Sequence, residues 1–273
     1  MPINTNHRSA SLMMLVMLVM LVMLVMGCFV GETAIAETGA FLDDDPAISV
    51  AAKPVPETDA LGLHLRVDAG VNFARVRTAS GVARSSFSNV EIDFDPGVDL
   101  EFGIGLPLGA SSGWSIEVMT GITINAVDSI SGQFASAANP MLAGTVTGGS
   151  GDLYQVPIVA NLQYRFDLSE TMTLGLLAGF GGQYSDLEVD DVRVLDPRFP
   201  GGVEVGGTSS SGWAFRYQFG LDLSWSLSSR TSLGLNVRYA GTTDLNGGSG
   251  SSADFDAKSF QNLAMGVTFS LAF

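Results

Sequence analysis

The chain has 273 residues, of which 46% are hydrophobic, only 15% are charged and 33 are glycine, a composition that favours sheet over helix. Its net charge is −15 with only 13 lysines and arginines, too few for the clustered basic surface that neutralising phosphates requires, so nucleic acid is excluded as a partner.

Residues 12–26 are an unbroken apolar run, Leu12-Met13-Met14 followed by four copies of Leu-Val-Met, with His7 and Arg8 before it and Ala34-Ile35-Ala36 after it. A charged start, an apolar middle and an A-x-A site are expected to make residues 1–36 a cleaved secretory signal peptide. Stretched to Val30, the same run approaches the length of a membrane-anchoring helix, and Cys28 follows a poor imitation of a lipoprotein box because Met26 is bulky. Cleavage after Ala36 removes Cys28, the single cysteine, so no disulfide is expected in the mature chain. Residues 37–60 carry Asp43-Asp44-Asp45, Pro46, Pro54 and Pro56 without apolar periodicity, which predicts a flexible acidic leader on the periplasmic side.

Period-two alternation begins at Leu61. The first segment sets Leu61, Leu63, Leu65, Val67, Ala69, Val71 and Phe73 against His64, Arg66, Asp68, Gly70 and Asn72. No helix sorts residues that way. The second sets Val90, Ile92, Phe94, Val98, Leu100, Phe102 and Ile104 against Glu91, Asp93, Asp99, Glu101 and three glycines, and the third sets Trp114, Ile116 and Val118 against Ser115 and Glu117. The fourth places Arg165 opposite Tyr164 and Phe166, the fifth (near 172–185) is weaker and Gly-rich, the sixth opposes Arg216 and Asp222 to Phe215, Phe219 and Leu221, and the seventh opposes Arg238 to Val237 and Tyr239. The eighth, ending at Phe273, places Leu263, Met265, Val267, Phe269 and Leu271 opposite Ala264, Gly266, Thr268 and Ser270.

Connection lengths alternate. Short pieces at 107–113, 167–171 and 228–230 separate long Gly-, Ser- and Asp-rich stretches at 78–89, 127–152, 185–212 and 242–257. Eight strands with short turns on one side and four long extracellular loops on the other predict an all-β fold, an eight-stranded antiparallel up-and-down transmembrane β-barrel over residues 61–273. A soluble sandwich has no reason to alternate its loops so strictly. Turning Arg66, Arg165, Arg216 and Arg238 toward lipid would cost ~2–4 kcal/mol each, or about 10 kcal/mol together, so they are expected to face the lumen. There they meet Asp68, Asp99, Glu101, Glu117 and Asp222, and a barrel of eight strands has room inside for little but side chains, so a salt-bridged plug is expected. Trp114, Tyr154, Tyr164, Phe166, Tyr184, Trp213, Trp225, Tyr239 and Phe273 fall near strand ends as candidate interfacial girdles.

The stretches Val156-Pro-Ile-Val-Ala-Asn-Leu-Gln-Tyr-Arg-Phe166 and Phe215-Arg-Tyr-Gln-Phe-Gly220, continuing through Leu227-Ser-Ser-Arg-Thr231 to Asn236-Val-Arg-Tyr239, together with the terminal Phe273, resemble the small outer-membrane β-barrel proteins of the OmpA-like and opacity-protein type. The resemblance covers residues 61–273. It implies an outer-membrane location in a Gram-negative-type bacterium, contact with outer-membrane lipid and lipopolysaccharide, and a monomer. The ending Gly266-x-x-Phe269-x-Leu271 with Phe273 is similar to the signal read by the barrel-assembly machinery. Nothing follows Phe273, so the peptidoglycan-binding domain of full-length OmpA proteins is not expected.

Three functions fit such a barrel: a non-enzymatic structural or adhesin-like surface protein, a narrow porin-like channel, and a lipid A-modifying enzyme. The last needs a general base beside a hydroxyl, and His64 is the one histidine of the mature chain. A lumen histidine bonded to a neighbouring acid is the commoner arrangement, so no catalytic residue and no cofactor are expected. Asp186, Glu188, Asp190, Asp191 and Asp196 crowd the third long stretch; carboxylates at this density can hold Ca²⁺ or Mg²⁺, yet the spacing matches no defined calcium loop and a solvated run is the expectation. The Gly-rich stretches at 148–151 and 247–250 are expected to be mobile loop tips.

Overall fold

The computed structural model describes residues 62–82, 85–109, 113–136, 143–196, 198–243, 246–247 and 256–273. The expected signal peptide and leader lie outside these residues. Everything described belongs to one compact unit, Ala60–Phe273, and all of its regular structure is strand.

The strands are β1 (His64–Val82), β2 (Ser85–Phe94), β3 (Gly97–Pro107), β4 (Trp114–Ser136), β5 (Ala143–Asp167), β6 (Met172–Asp196), β7 (Phe199–Ser226), β8 (Thr231–Thr242), β9 (Asn246–Gly247) and β10 (Asp256–Ala272). Each of β4 to β7 pairs antiparallel with the next, β10 pairs with β8, and β10 closes on β1 from His64↔Ala272 to Ser80↔Asp256. Because β2 and β3 together lie between β1 and β4, the ring has eight staves, and closure leaves the last strand a partner at each edge.

The second stave is broken where Pro96 cannot donate to a ladder. Asp95 N–H donates to Ala126 O at 2.9 Å and the Asn125 amide to Asp95 O at 3.1 Å, so the break is held from β4. It also swaps faces. Val90 and Ile92 point inward above it, whereas Asp99 and Glu101 point inward below it. Glu91 and Asp93, expected on the lumen face with Asp99 and Glu101, are therefore outside.

Two of the long connections are largely strand in their described residues. Most of 127–152 and 185–212 is strand, because β4 and β5, and again β6 and β7, continue their pairing to Ala135↔Ala143 and Asp196↔Phe199. The glycines expected at a loop tip, Gly148, Gly149 and Gly151, lie within β5 with positive φ, while Gly247 is in β9 and 248–250 fall outside the described residues. Two of the short connections are true turns: Ser169 Oγ accepts from the N–H groups of Thr171 and Met172, and Ser228 Oγ from those of Arg230 and Thr231.

Along β6 the two faces exchange character. Up to Tyr184 the apolar residues point outward, Leu176 and Phe180 among them, and the inward positions are mostly small or polar, ending in Gln183 and Ser185. Beyond it Leu187, Val189, Val192 and Val194 point inward, and Glu188, Asp190, Asp191 and Arg193 are exposed. A bulge at Asp190–Asp191, where Asp191 has φ 55°, adds the residue that keeps Val192 inward after Val189. Val76, Val90, Ile92, Val127, Ile130, Phe134, Val146, Leu153 and Phe260 join the same interior cluster. The ring is thus two tiers on continuous strands, one with an apolar exterior and polar interior, the other the reverse.

Candidate functional site

The lower tier has the polarity that lipid demands. Phe180 is 64% exposed, and Phe102, Ile104, Phe219, Leu221 and Leu235 are also exposed on the outer face. From Trp213 to Trp225 on β7 is twelve residues, about 40 Å along the strand at ~3.3 Å each, or about 30 Å of height at a tilt near 40°. That frames an apolar band of roughly 25 Å with an aromatic at each border. At the turn end the rings of Trp114 and Tyr164 lie 4.7 Å apart and those of Tyr164 and Phe166 4.5 Å apart; at the other end Tyr184 and Trp213 lie 5.8 Å apart.

Inside this tier the charged residues form a chain of alternating sign. Asp222 accepts from Arg66 Nη1 at 2.6 Å and Nη2 at 2.7 Å. Arg66 Nε donates to Asp68 Oδ2 at 2.9 Å, and Asp68 also accepts from Arg238 Nη2 at 2.5 Å and from the Thr268 hydroxyl at 2.7 Å. Arg238 Nη1 reaches Glu101, which also accepts from Arg216 Nη2 at 3.4 Å. The chain Asp222–Arg66–Asp68–Arg238–Glu101–Arg216 starts on β7, passes through β1, β8 and β3, and returns to β7, with Arg66 and Arg238 each only 2% exposed.

Three charged residues of the expected network stand outside that chain. Asp99 accepts from the Thr123 hydroxyl at 2.6 Å. Arg165, at the turn-side mouth, donates to Gln163 Oε1 at 3.1 Å. Glu117 has its Oε2 3.5 Å from His64 Nε2, and the imidazole sits over Gly105, where any side chain would collide with it.

The expected network, drawn from charges alone, leaves out the amides that complete this interior. Gln163 Nε2 donates to Asp222 at 2.9 Å, Arg216 donates to Gln183 Oε1 at 2.8 Å, and Gln218 donates to Asn161 Oδ1 at 2.7 Å. Between the ionic chain and the apolar upper core, Asn72 Nδ2 donates to Asn125 Oδ1 at 2.8 Å and Asn262 Nδ2 to Gln155 Oε1 at 2.9 Å. The signal was available: each is an uncharged polar residue on the parity opposite its strand's outward apolar residues.

The crowded acids do not form one cluster. Asp186, Glu188, Asp190 and Asp191 line the outer face of the upper tier, whereas Asp196 turns inward and binds Arg198 through its backbone N–H at 2.9 Å and its Nε at 2.9 Å. These bonds, the Arg198 side chain first, hold the Asp196 carboxyl below the usual carboxylate range. Among the described residues no group of His, Cys, Asp and Glu is arranged to hold a metal ion. In the closing strand Gly266 faces Gly70 across the seam, Phe269 and Leu271 lie opposite Val67 and Leu65, and Phe273 N–H donates to Leu63 O at 2.9 Å.

Residues 47–273 match the family described as outer membrane protein beta-barrel domain. Among solved structures the chain is similar to the Neisserial surface protein A, at 15% identity over 78% of this chain and 99% of that one, with a TM-score of 0.44. It is similar to the outer membrane protease OmpT of Escherichia coli at 11% identity over 78% and 97%, TM-score 0.44. It is also similar to Ail, the attachment invasion locus protein of Yersinia pestis, at 12% identity over 77% and 99%, TM-score 0.38. No curated protein matches the chain.

Proposed function

The chain belongs to the outer-membrane β-barrel protein family, and from that premise we propose that it is a non-conducting surface barrel with a structural or adhesin-like role, which holds paired hairpins well above the membrane. One observation carries this reading: the interior is filled at two levels by opposite chemistries. An ion-pair chain crosses the lumen within the lipid band, and an apolar core fills it above. An ion that passed the first would meet the second. From Tyr184 to Asp196 the β6–β7 hairpin adds twelve residues, about 40 Å along the strand or about 30 Å of height at a tilt near 40°, so its tip stands clear of the headgroups, where binding surfaces on such scaffolds lie.

Planar-bilayer recording tests the sealed lumen. No conductance above the bare bilayer is expected, and a reproducible open state would favour the narrow-channel reading. A lipid A-modifying activity would need a hydroxyl beside His64, and the partners of that ring are Glu117 and Arg165, which argues for a structural role. The reading further includes export by residues 1–36, contact of the outer face with lipid and lipopolysaccharide, a monomeric state, and recognition by the barrel-assembly machinery through Gly266, Phe269, Leu271 and Phe273. Outer-membrane fractionation, followed by electrophoresis with and without boiling, tests the placement. A heat-dependent change in migration in that fraction is expected; recovery from the inner membrane would point instead to the helix of residues 12–30.

A further inference from the structure

We propose that His64 is a proton-operated switch at the periplasmic mouth of the barrel, exchanging one hydrogen-bond partner for another as it gains or loses a proton. The argument rests on one atom. His64 Nε2 lies 3.3 Å from Arg165 Nη2, which can only donate, and 3.5 Å from Glu117 Oε2, which as a carboxylate oxygen can only accept. It cannot serve both. With a bare lone pair, Nε2 accepts from Arg165, and Glu117 Oε2, buried within β4, has no hydrogen-bond donor. With Nδ1 already carrying a proton, a second proton on Nε2 makes the ring a cation that donates to Glu117, and Arg165 loses an acceptor and faces a second cation.

The charged groups around the ring come from several strands. On its own strand Arg66 lies two residues on; β4 supplies Glu117, β5 supplies Arg165, and Asp222 on β7 lies within Coulomb range of Arg165. β3 presents Gly103 and Gly105 at this level, and β10 presents Ser270 and Ala272. Across the polar interior, five carboxylates (Asp68, Asp99, Glu101, Glu117, Asp222) face four guanidiniums (Arg66, Arg165, Arg216, Arg238). One more positive charge balances them, and in a buried ionic cluster such balance is worth having. Histidine is the side chain whose unperturbed charge change falls between about pH 5 and 8, which sets the range of the test. Arg165 is the group free to respond, because it sits at the mouth while Glu117 and His64 are enclosed. Acidification thus draws His64 onto Glu117 and leaves Arg165 held by Gln163 Oε1 alone, with a cation beside it. The apolar upper core is untouched, so the switch alters the periplasmic face without opening a pore, and it stands whether or not the lumen conducts.

The test is an NMR titration of the full barrel in detergent micelles from pH 5 to 8, following the His64 ring nitrogens, the Arg165 guanidinium and the Glu117 carboxyl. The neutral ring is expected with its proton on Nδ1, and all three signals should move with one common midpoint. In His64→Phe, confirmed as folded by its heat-dependent migration, the Arg165 signal should lose its pH dependence over this range. The proposal is overturned if the ring does not titrate between these limits, if it titrates while Arg165 and Glu117 stay flat, or if the Arg165 response persists in His64→Phe. Should His64→Phe not fold, the wild-type titration decides alone.

Discussion

Arg238 donates to Asp68 and Glu101 at once, so at the scale of single residues it is the link on which the ionic chain turns. Removing one partner of a buried pair strands the other's charge, at a cost of about 3–5 kcal/mol, whereas removing both partners is far milder. Arg238→Met leaves Glu101 with only the 3.4 Å contact from Arg216. It is therefore expected to lower stability by about 3–5 kcal/mol, and the double variant Arg238→Met with Glu101→Leu by less, although it removes more bonds. Urea titration of the barrel folded into lipid vesicles measures both; a double variant weaker than the single one would show that the pair is net stabilising. Outside the membrane Asp196 offers a second test. Its folded-state pKa is depressed by Arg198, so its contribution is fully present above the ordinary carboxylate pKa of about 3.9 and is lost as pH falls through the lower folded value. Arg198→Ala should move the Asp196 midpoint up toward that ordinary value in a carbon-detected NMR titration.

At the scale of the strand, the reversal of polarity along β6 makes position, and not residue type, decide the cost of a substitution. Phe180→Arg puts a cation into the lipid band and should cost ~2–4 kcal/mol. Glu188→Arg, eight residues on and facing water, should change stability by less than about 0.5 kcal/mol. Leu187→Ala, one residue before it and 1% exposed within the upper core, should cost about 2–5 kcal/mol. Chemical denaturation of the three variants in vesicles checks the order, and an Arg at 188 as costly as one at 180 would place the membrane border higher. This border is also where sequence reading reached its limit. The lower staves were legible because each keeps one parity for lipid and one for lumen over many residues. The upper tier was not, since its parity flips by two devices that alternation cannot separate. On β6 the apolar positions themselves change from even to odd at 184–187, which mimics the end of a strand. On the second stave they stay even from Val90 to Ile104 while the break at Pro96 turns the backbone over, which hides the change. The arginine–carboxylate chain was legible as a set on one face, but which partners meet depends on stagger between strands, and no single strand encodes that.

For the molecule as a whole, closure means that every stave has two neighbours, so the seam between β1 and β10 is as regular as any other: it pairs continuously from His64↔Ala272 to Arg77↔Ser259. The glycines Gly70 and Gly266 meet there because a Cβ on either would run into the opposite backbone. Phe273 adds little to that closure. Its N–H makes one bond to Leu63, and its ring is 53% exposed at the turn-side rim, where it covers no core. So small a contribution to the finished barrel is what the proposed assembly signal of Gly266, Phe269, Leu271 and Phe273 requires of its last residue. Deleting Phe273 should therefore leave refolding into detergent micelles close to wild type, within about 1 kcal/mol for the lost edge hydrogen bond, while sharply reducing the amount of heat-modifiable protein in the outer membrane of cells. Equal loss in both settings would mean that the ring is needed for the barrel itself, and equal accumulation in cells would mean that the closing strand is recognised without it.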